Sequence, residues 1–587
     1  MLSPNNNTQI PSPSKKIDAL IVGAGPVGLL AACLLSQADM TVRILDAEFE
    51  PNHWGRGDNM HGRTMELLER AGLEEELLQS GARVDNFNIY NNTKMFHSMP
   101  FVPDYIDSKY KYLLCVGQHI TESSLQNHLA NHDVQVERPW TVTSIQDNLL
   151  GENKTTHPLI ANISDLHDHT TDQIEVKYVL GCDGAHSDIR RQLGIVYDGD
   201  SAEISGGVID ALIRTNFPGK KDFCLLQGPS SKTLSFFPRE NGLVRLLVHF
   251  SENESNDLGS KDRHDRTNIQ MEDIQREAKR ALMPYRLEIL GALYWSTYLV
   301  GQRQATTMDG MNERVFLLGD AAHCQSPALG QGINTGFGDA FNLIWKLSLV
   351  ERGVLDRNVL KTYTLERHAV AKRVLDIDKV AAKEAASHQS EKYAQVVQGN
   401  SLFTSGFGID YIPQGESINP LLWQGQKTVA DHSTSVMAGA RAPNAKVIKA
   451  STGKKARLFD QINWLTFSIL VLAHDLTVPG ILLQVEKVHA WFKDSATVKL
   501  GSKTGFTIAT TTTNVDVLDL TASTVTKDDI VIDKLNRAQC HRDYGCDSKQ
   551  APGTTLVIIR PDGYIGAICH GDSMVTQAQE YIDQVCI

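Results

Sequence analysis

Long apolar runs are missing from this chain. No stretch nears the roughly 18 consecutive apolar residues that a membrane-crossing helix needs. The most apolar segment, Trp464 to Ala473, reads as a buried strand. Basic runs are missing too: 57 Lys and Arg face 69 Asp and Glu, for a net charge of −12. That balance argues against a nucleic-acid partner. The 9 cysteines are scattered, with no C-x-x-C pair and no Cys/His cluster at metal-ligand spacing. This excludes a zinc module and a disulfide-stapled secreted domain, and it points to reduced thiols in the cytoplasm. Residues 1–16 hold Asn5 to Asn7, two Ser-Pro steps and a Lys pair, a polar tail expected to be disordered, without the apolar centre of a secretory signal. What remains is an ordinary globular composition, 41% hydrophobic and 21% charged, over 587 residues, enough for about three domains.

The most informative stretch runs from Asp18 to Asp46. Ala19 to Val22 is a continuous apolar run, as expected of a strand buried on both faces of a parallel sheet. Gly23, Gly25 and Gly28 follow with the spacing G-x-G-x-x-G. The first suits a tight turn, the second a close backbone approach to a pyrophosphate, and the third close helix–strand packing. Pro26 belongs at a first helical position, and Leu29 to Leu35 continues as a buried helix whose free amides face phosphate. Thr41 to Leu45 is a second strand, and Asp46 ends it where an acid accepts hydrogen bonds from an adenosine ribose. The triplet alone leaves NAD and FAD both open.

Further along, the loop Glu48 to Gly62 carries Asp58 and leads into a helix opened by Arg63. Short strands are expected over 84–114, a helix over Gln118 to Leu129, and a solvated polar loop over Gly151 to Asp172. Residues 205–250 alternate apolar and polar, the pattern of an antiparallel sheet with one face toward a pocket. Another strand is expected over Leu293 to Arg303, and a long helical region from Gly338 to about Gln389. Residues 400–438 read as loop. Strands at about 456–459, 464–472, 515–520 and 555–560, with a helix at about 478–493, form a separate module.

Three glycine/acid motifs each end an expected strand: Gly23/Gly25/Gly28, Asp183-Gly184 and Gly319-Asp320. Carboxyl ends of strands in a doubly wound sheet converge on one ligand crevice. In this order the set resembles the FAD-dependent aromatic hydroxylases related to p-hydroxybenzoate hydroxylase. R-G-D-N-M-H-G-R-T-M-E-L-L-E-R-A-G-L at 56–73, Y-W-S-T-Y-L-V-G-Q-R at 294–303, G-A-R-A-P at 439–443 and R-P-D-G-Y at 560–564 are similar to the phenol 2-monooxygenase branch.

The resemblance implies an α/β fold. A Rossmann-type FAD-binding domain is expected from 17–83, 115–195 and 305–390. A substrate domain built on an antiparallel sheet is expected from 84–114 and 196–304, a linker over 391–438, and a thioredoxin-like domain over 439–587 that serves assembly, giving a homodimer. It implies hydroxylation, ortho to a phenolic hydroxyl, with FAD, NADPH (or NADH) and O2 through a C4a-hydroperoxyflavin, and no membrane partner. Asp320 is expected at the ribityl chain, and Gly330, Gly332, Ile333 and Asn334 at the flavin ring. Arg63 and Gln118 match positions at the pyrophosphate and ribityl regions, and Asp183-Gly184 at both FAD and NADPH. Arg190 and Arg191 are open between NADPH phosphates and solvated charge. Asp58 and Tyr298 are the expected catalytic pair, since electrophilic hydroxylation needs the phenol proton shared or removed. Phe237, His249 and Pro327 are candidate pocket residues, and His323 is expected to support the flavin loop. A tailoring hydroxylase for polycyclic polyketides on the same scaffold, and a non-catalytic flavin-binding partner protein, are the alternatives.

Overall fold

The computed structural model describes residues 15–587 apart from 56, 92–93, 149–154, 228–232, 251–268, 387–389, 414–417, 424–435, 519–522, 536–537 and 547–552. Expectations for the tail before residue 15 lie outside the described residues. Among the described residues, no helix is long and apolar enough to cross a membrane.

The first sheet has a parallel core ordered Val136–Glu137, Val42–Leu45, Lys16–Val22, Thr171–Gly181 and Val315–Leu317. Lys16–Val22 sits in its middle because Ala19, Leu20 and Ile21 are fully buried on both faces. Helix Pro26–Gln37 packs on one side, with Leu29 to Leu35 all buried. The strands preceding the three glycine/acid motifs are neighbours in this sheet, so the motifs share one edge. The polar stretch expected as a loop contains the strand Leu159–Asp165, paired antiparallel with Thr171–Gly181. Leu159, Ala161 and Ile163 alternate inward there, so a half-buried strand forms despite its polar flanks.

The second sheet is ordered His323–Cys324, Leu287–Ala305, Tyr197–Thr215, Val244–Phe250, Thr233–Pro238, Phe223–Gln227, Asn86–Asn91 and Lys94–Pro100. Helix Met271–Leu282 covers one face: a Cβ on Gly207 would lie 2.5 Å from Ile274. The opposite face looks toward the first sheet. Ala82–Val84, Leu113–Cys115 and Asn59–Met60 form a small third sheet, so the expected boundary at residue 83 crosses a sheet rather than a linker.

The long helical region divides in two, Gly332–Glu351 and Thr362–Ala386. Gly353, at φ +68°, ends the first, and the Asp356 carboxylate caps the short turn that leads into the second. The expected linker includes helix Ser390–Gly399 and the buried Asn419, which hydrogen-bonds Glu366. In the C-terminal module a mixed sheet of seven strands is flanked by helices Pro479–Trp491 and Met574–Val585. Strand Gly505–Thr510 lies beside Ser468–Ala473, whereas Val515–Val517 is a short helical turn made by the Asn514 side chain rather than the expected strand.

The C-terminal module is built into the rest of the chain. Trp345, Leu349, Leu355 and Val359 share its apolar core with Phe467, Ile469 and Ile582. Above that core, Arg560 makes a bidentate pair with Glu366 (2.6 and 3.0 Å) and also holds Asp562. Arg560 and Glu366 are 0% and 1% exposed. Lys346 donates to the same Glu366 carboxylate at 2.8 Å. Removing one partner leaves the other charge buried, so Arg560→Ala is expected to cost about 3–5 kcal/mol. Denaturant unfolding of the full chain measures this.

Candidate active site

The motifs lead into a cavity of about 640 Å³ between the first two sheets. At its nucleotide end the three glycines have separate jobs. Gly23 has φ +100°, and a Cβ there would lie 2.4 Å from the Cys182 carbonyl oxygen. A Cβ on Gly28 would lie 2.0 Å from the Gly23 carbonyl. Gly25, the N-cap of helix Pro26–Gln37, lines the cavity and has nothing within 4 Å of its Cβ position. That is the open backbone a phosphate requires. The Asp46 carboxylate stands beside this turn, accepting from the Ala24 amide at 2.6 Å and the Glu48 amide at 2.8 Å. It is not among the cavity walls.

Gly184, at φ +77°, lines the cavity next to Asp183. One Asp183 oxygen accepts from the Asp188 and Ile189 amides, while the other is buried without a partner, and burial pushes this carboxyl upward. Gly319, at φ +59°, donates its amide to Asp339 at 3.1 Å. His323 and Arg367 hold the same carboxylate at 2.8 and 2.7 Å, which orients the loop carrying Asp320 into the cavity. Gly330, Gly332 and Ile333 line the cavity at the start of helix Gly332–Glu351. Facing them, both amide atoms of Gln325 are buried without partners, as is the Asn59 side-chain oxygen. Unpaired polar atoms around an open helix start fit a planar, polar cofactor.

Several expected positions do other work. Arg63 is not a phosphate ligand here: its buried guanidinium pairs with Glu66 at 2.5 Å and donates to the Asp562 carbonyl at 2.8 Å. It faces the C-terminal module because its helix turns that side away from the cavity. Asn334 also turns away, accepting from the His61 amide and Thr64 hydroxyl and donating to the Asn59 and Gly330 carbonyls. Arg190 donates to the Ala321 and Ala185 carbonyls and lies over Tyr197, which leaves it a loop clamp. Gln118 lines the cavity, accepting from the Gly57 amide at 3.0 Å and donating to Glu122 at 2.8 Å. Burial pushes the Glu122 carboxyl up to about 7.

The second sheet supplies the floor. One cross-strand row runs Phe237, Arg245, Asp210, Tyr294, and the next runs Ser235, Leu247, Val208, Ser296. Strand periodicity sends both rows to the same face. Phe237 stacks on Phe223 with centroids 4.6 Å apart, and Pro327 lines the opposite wall. His249 falls one row farther, beside Thr233 and Gly206, and is not a cavity wall; burial holds its imidazole neutral, down to about 4. The Tyr298 backbone pairs with Gly206, and its side chain lies outside the described residues.

Asp58 closes the cavity from the loop side. One of its oxygens meets Arg239 at 3.0 Å and Arg245 at 2.9 Å. Arg245 also holds Asp210 and the Gly55 carbonyl, and Arg239 holds Asp210 and Glu240. This buried group has two guanidiniums for three carboxylates. Burial raises the Asp58 carboxyl, against the pull of Arg245 and Arg239. Sequence reasoning missed Arg239, Asp210 and Glu240. The only trace was charged residues on strands otherwise apolar inward, a weak signal when the facing loop is unknown.

A parallel sheet with glycine turns at its strand ends, and an antiparallel sheet closing the crevice, defines a dinucleotide-binding flavoprotein architecture. The chain belongs to the FAD binding domain family, whose profile matches residues 16–378. It is 27% identical to a phenol 2-monooxygenase of Aspergillus fumigatus, an alignment spanning 97% of this chain and 96% of that protein. It is 29% identical to a 3-hydroxybenzoate 4-monooxygenase of Comamonas testosteroni, over 78% and 73% of the two chains. Its fold matches aklavinone-11 hydroxylase, solved with FAD and aklavinone, with a TM-score of 0.73 at 19% identity over 97% of this chain and 98% of that one.

Two outcomes follow from this geometry. Gly25→Ala is expected to leave apoprotein stability unchanged but weaken FAD binding at least about tenfold, a loss of some 1.4 kcal/mol, while Gly28→Ala destabilises the apoprotein itself; flavin titration and thermal unfolding separate the two. Glu122, raised from its unfolded value of 4.5 to about 7, contributes stability that is present below pH 4.5 and is lost as pH rises through 7. Glu122→Gln is therefore expected to raise the melting temperature at pH 8 and not at pH 4, in paired thermal scans.

Proposed function

We propose that this protein is an FAD-dependent aromatic hydroxylase that places one oxygen atom of O2 on a phenolic ring, ortho to the hydroxyl, using NADPH. The observation that carries this reading is the shared cavity of Asp58 and Arg245 with the helix start at Gly330 to Ile333. Full-length similarity to a phenol 2-monooxygenase supports it. Bound FAD supplies the redox chemistry, taking electrons from the nicotinamide and activating O2.

In this reading the Gly25 helix start holds the pyrophosphate, Asp46 the ribose, Asp320 and Gln118 the ribityl region, and the Gly330–Ile333 amides the flavin ring. Gly184 borders the nicotinamide approach. Asp58 accepts or shares the phenol proton. A free phenol holds its proton to about pH 10, so the site must favour the electron-rich phenolate. Arg245 beside Asp58 does this electrostatically. With one more carboxylate than guanidinium in the group, Asp58, whose carboxyl burial raises, is the member suited to take a proton. Tyr298 keeps the role that the resemblance implies for it, partner to Asp58 at the phenol hydroxyl. The two sheets exclude water from the reacting ring.

The same proposal includes a thioredoxin-like C-terminal domain that serves homodimer assembly in the cytoplasm. Support for a role without thiol chemistry comes from Cys540, Cys546, Cys569 and Cys586, all buried with thiols pushed upward by burial.

The test is a flavin visible spectrum of the purified protein, followed by phenol-stimulated NADPH oxidation with mass analysis of the product. Asp58→Asn is expected to keep its flavin yet lose at least about a hundredfold in product formation. In the wild type, product formation falls as the pH drops through the raised Asp58 value, because the carboxylate form is needed. Unaltered hydroxylation by the variant removes Asp58 from the mechanism.

A further inference from the structure

We propose that Trp54 and Tyr294 form an aromatic subsite for a second ring of the substrate, so that the preferred substrate is an aryl-extended phenol. The proposal rests on the hydroxylase reading and adds the substrate's shape. Phe237 and Tyr294 occupy the two ends of one cross-strand row, with Arg245 and Asp210 between them. Three interstrand spacings separate them, about 14 Å. Ring–ring contact fades beyond about 7 Å, so a single ring seated near Phe237 leaves Tyr294 unused.

Both ends of the floor are aromatic, and they are built differently. Phe223 and Phe237 are in direct stack at 4.6 Å, already satisfied by one another. At the other end, the loop that carries Asp58 also brings Trp54 over Tyr294, with ring planes 17° apart and centroids 6.3 Å apart. His119 backs the indole at 5.1 Å. Trp54 and Tyr294 are half-buried and line the cavity, and the proposed hydroxylation chemistry calls on neither. Arg245 and Asp58 lie between the two aromatic ends, where a phenolic hydroxyl belongs. A substrate that places its hydroxyl there and carries an aryl substituent extends the Trp54–Tyr294 stack.

The experiment measures dissociation constants of the FAD-loaded full chain for phenol, 4-phenylphenol and NADP+, from perturbation of the flavin absorbance. Wild type is compared with Trp54→Ala, Trp54→Phe and Tyr294→Leu. Wild type is expected to bind 4-phenylphenol about tenfold more tightly than phenol. Trp54→Ala and Tyr294→Leu are expected to erase that preference without altering phenol binding, and Trp54→Phe to restore most of it. Equal weakening of both phenols, or no preference in the wild type, overturns the subsite. So does a Trp54 effect confined to NADP+, which would assign the pair to the nicotinamide. A Trp54-dependent preference without phenol-stimulated NADPH oxidation supports the subsite and removes the hydroxylase reading instead.

Discussion

Two buried arginines join the halves of the cavity. Arg245 rises from the antiparallel sheet to hold Asp58 and the Gly55 carbonyl, both on a loop that belongs to the nucleotide-binding part of the chain. Arg239 adds a second bond to Asp58 and anchors Glu240, whose carboxylate in turn receives the Gly117 amide at the start of helix Gln118–Ala130. Buried guanidiniums are held only where carboxylates and carbonyls satisfy them, so these bonds fix the loop, the helix start and the sheet in one register. The position of the antiparallel floor relative to the crevice at the glycine turns depends on that register.

A second buried ionic group does the same around helix Gly332–Glu351. Asp339 gathers the Gly319 amide, His323 and Arg367. One residue before Arg367, Glu366 gathers Arg560, Lys346, Asn342 and Asn419. Arg63, Glu66 and Arg441 continue the chain of pairs into the C-terminal module. The Gly319–Asp320 loop is thus held through Asp339, and the neighbouring Glu366 ties that corner to Arg560, 194 positions away. Among the described residues, the C-terminal module braces the glycine-loop side of the cavity without contributing a wall.

Much of the fold was legible in local pattern. The apolar run before Gly23, the glycine spacing, and the strands ahead of Asp183 and Gly319 all record short-range backbone needs. A turn at φ +100° or a helix packed within contact of a carbonyl admits only glycine, and that requirement shows in one residue type at one position. The alternation within 205–250 likewise marked an antiparallel sheet with one face toward a pocket. Local pattern misled where a side chain rewrote the backbone's choice, as Asn514 did in turning an alternating segment into a helical turn.

The sequence by itself determined which strands end in glycine turns and that one face of the second sheet is turned to a pocket, because those are properties of a few neighbouring residues. Only the tertiary structure decided which charges meet. Arg63 and Arg245 are equally cationic in the sequence, yet one is spent on Glu66 and the other stands in the cavity beside Asp58. The reason is that the pair closing the cavity joins distant elements, as Arg239 meets Asp58 across 181 residues, whereas Arg63 takes a carboxylate on its own helix and is covered by the C-terminal module. The partners in the cavity are chosen by how sheets and helices pack, and no spacing along the chain encodes that choice.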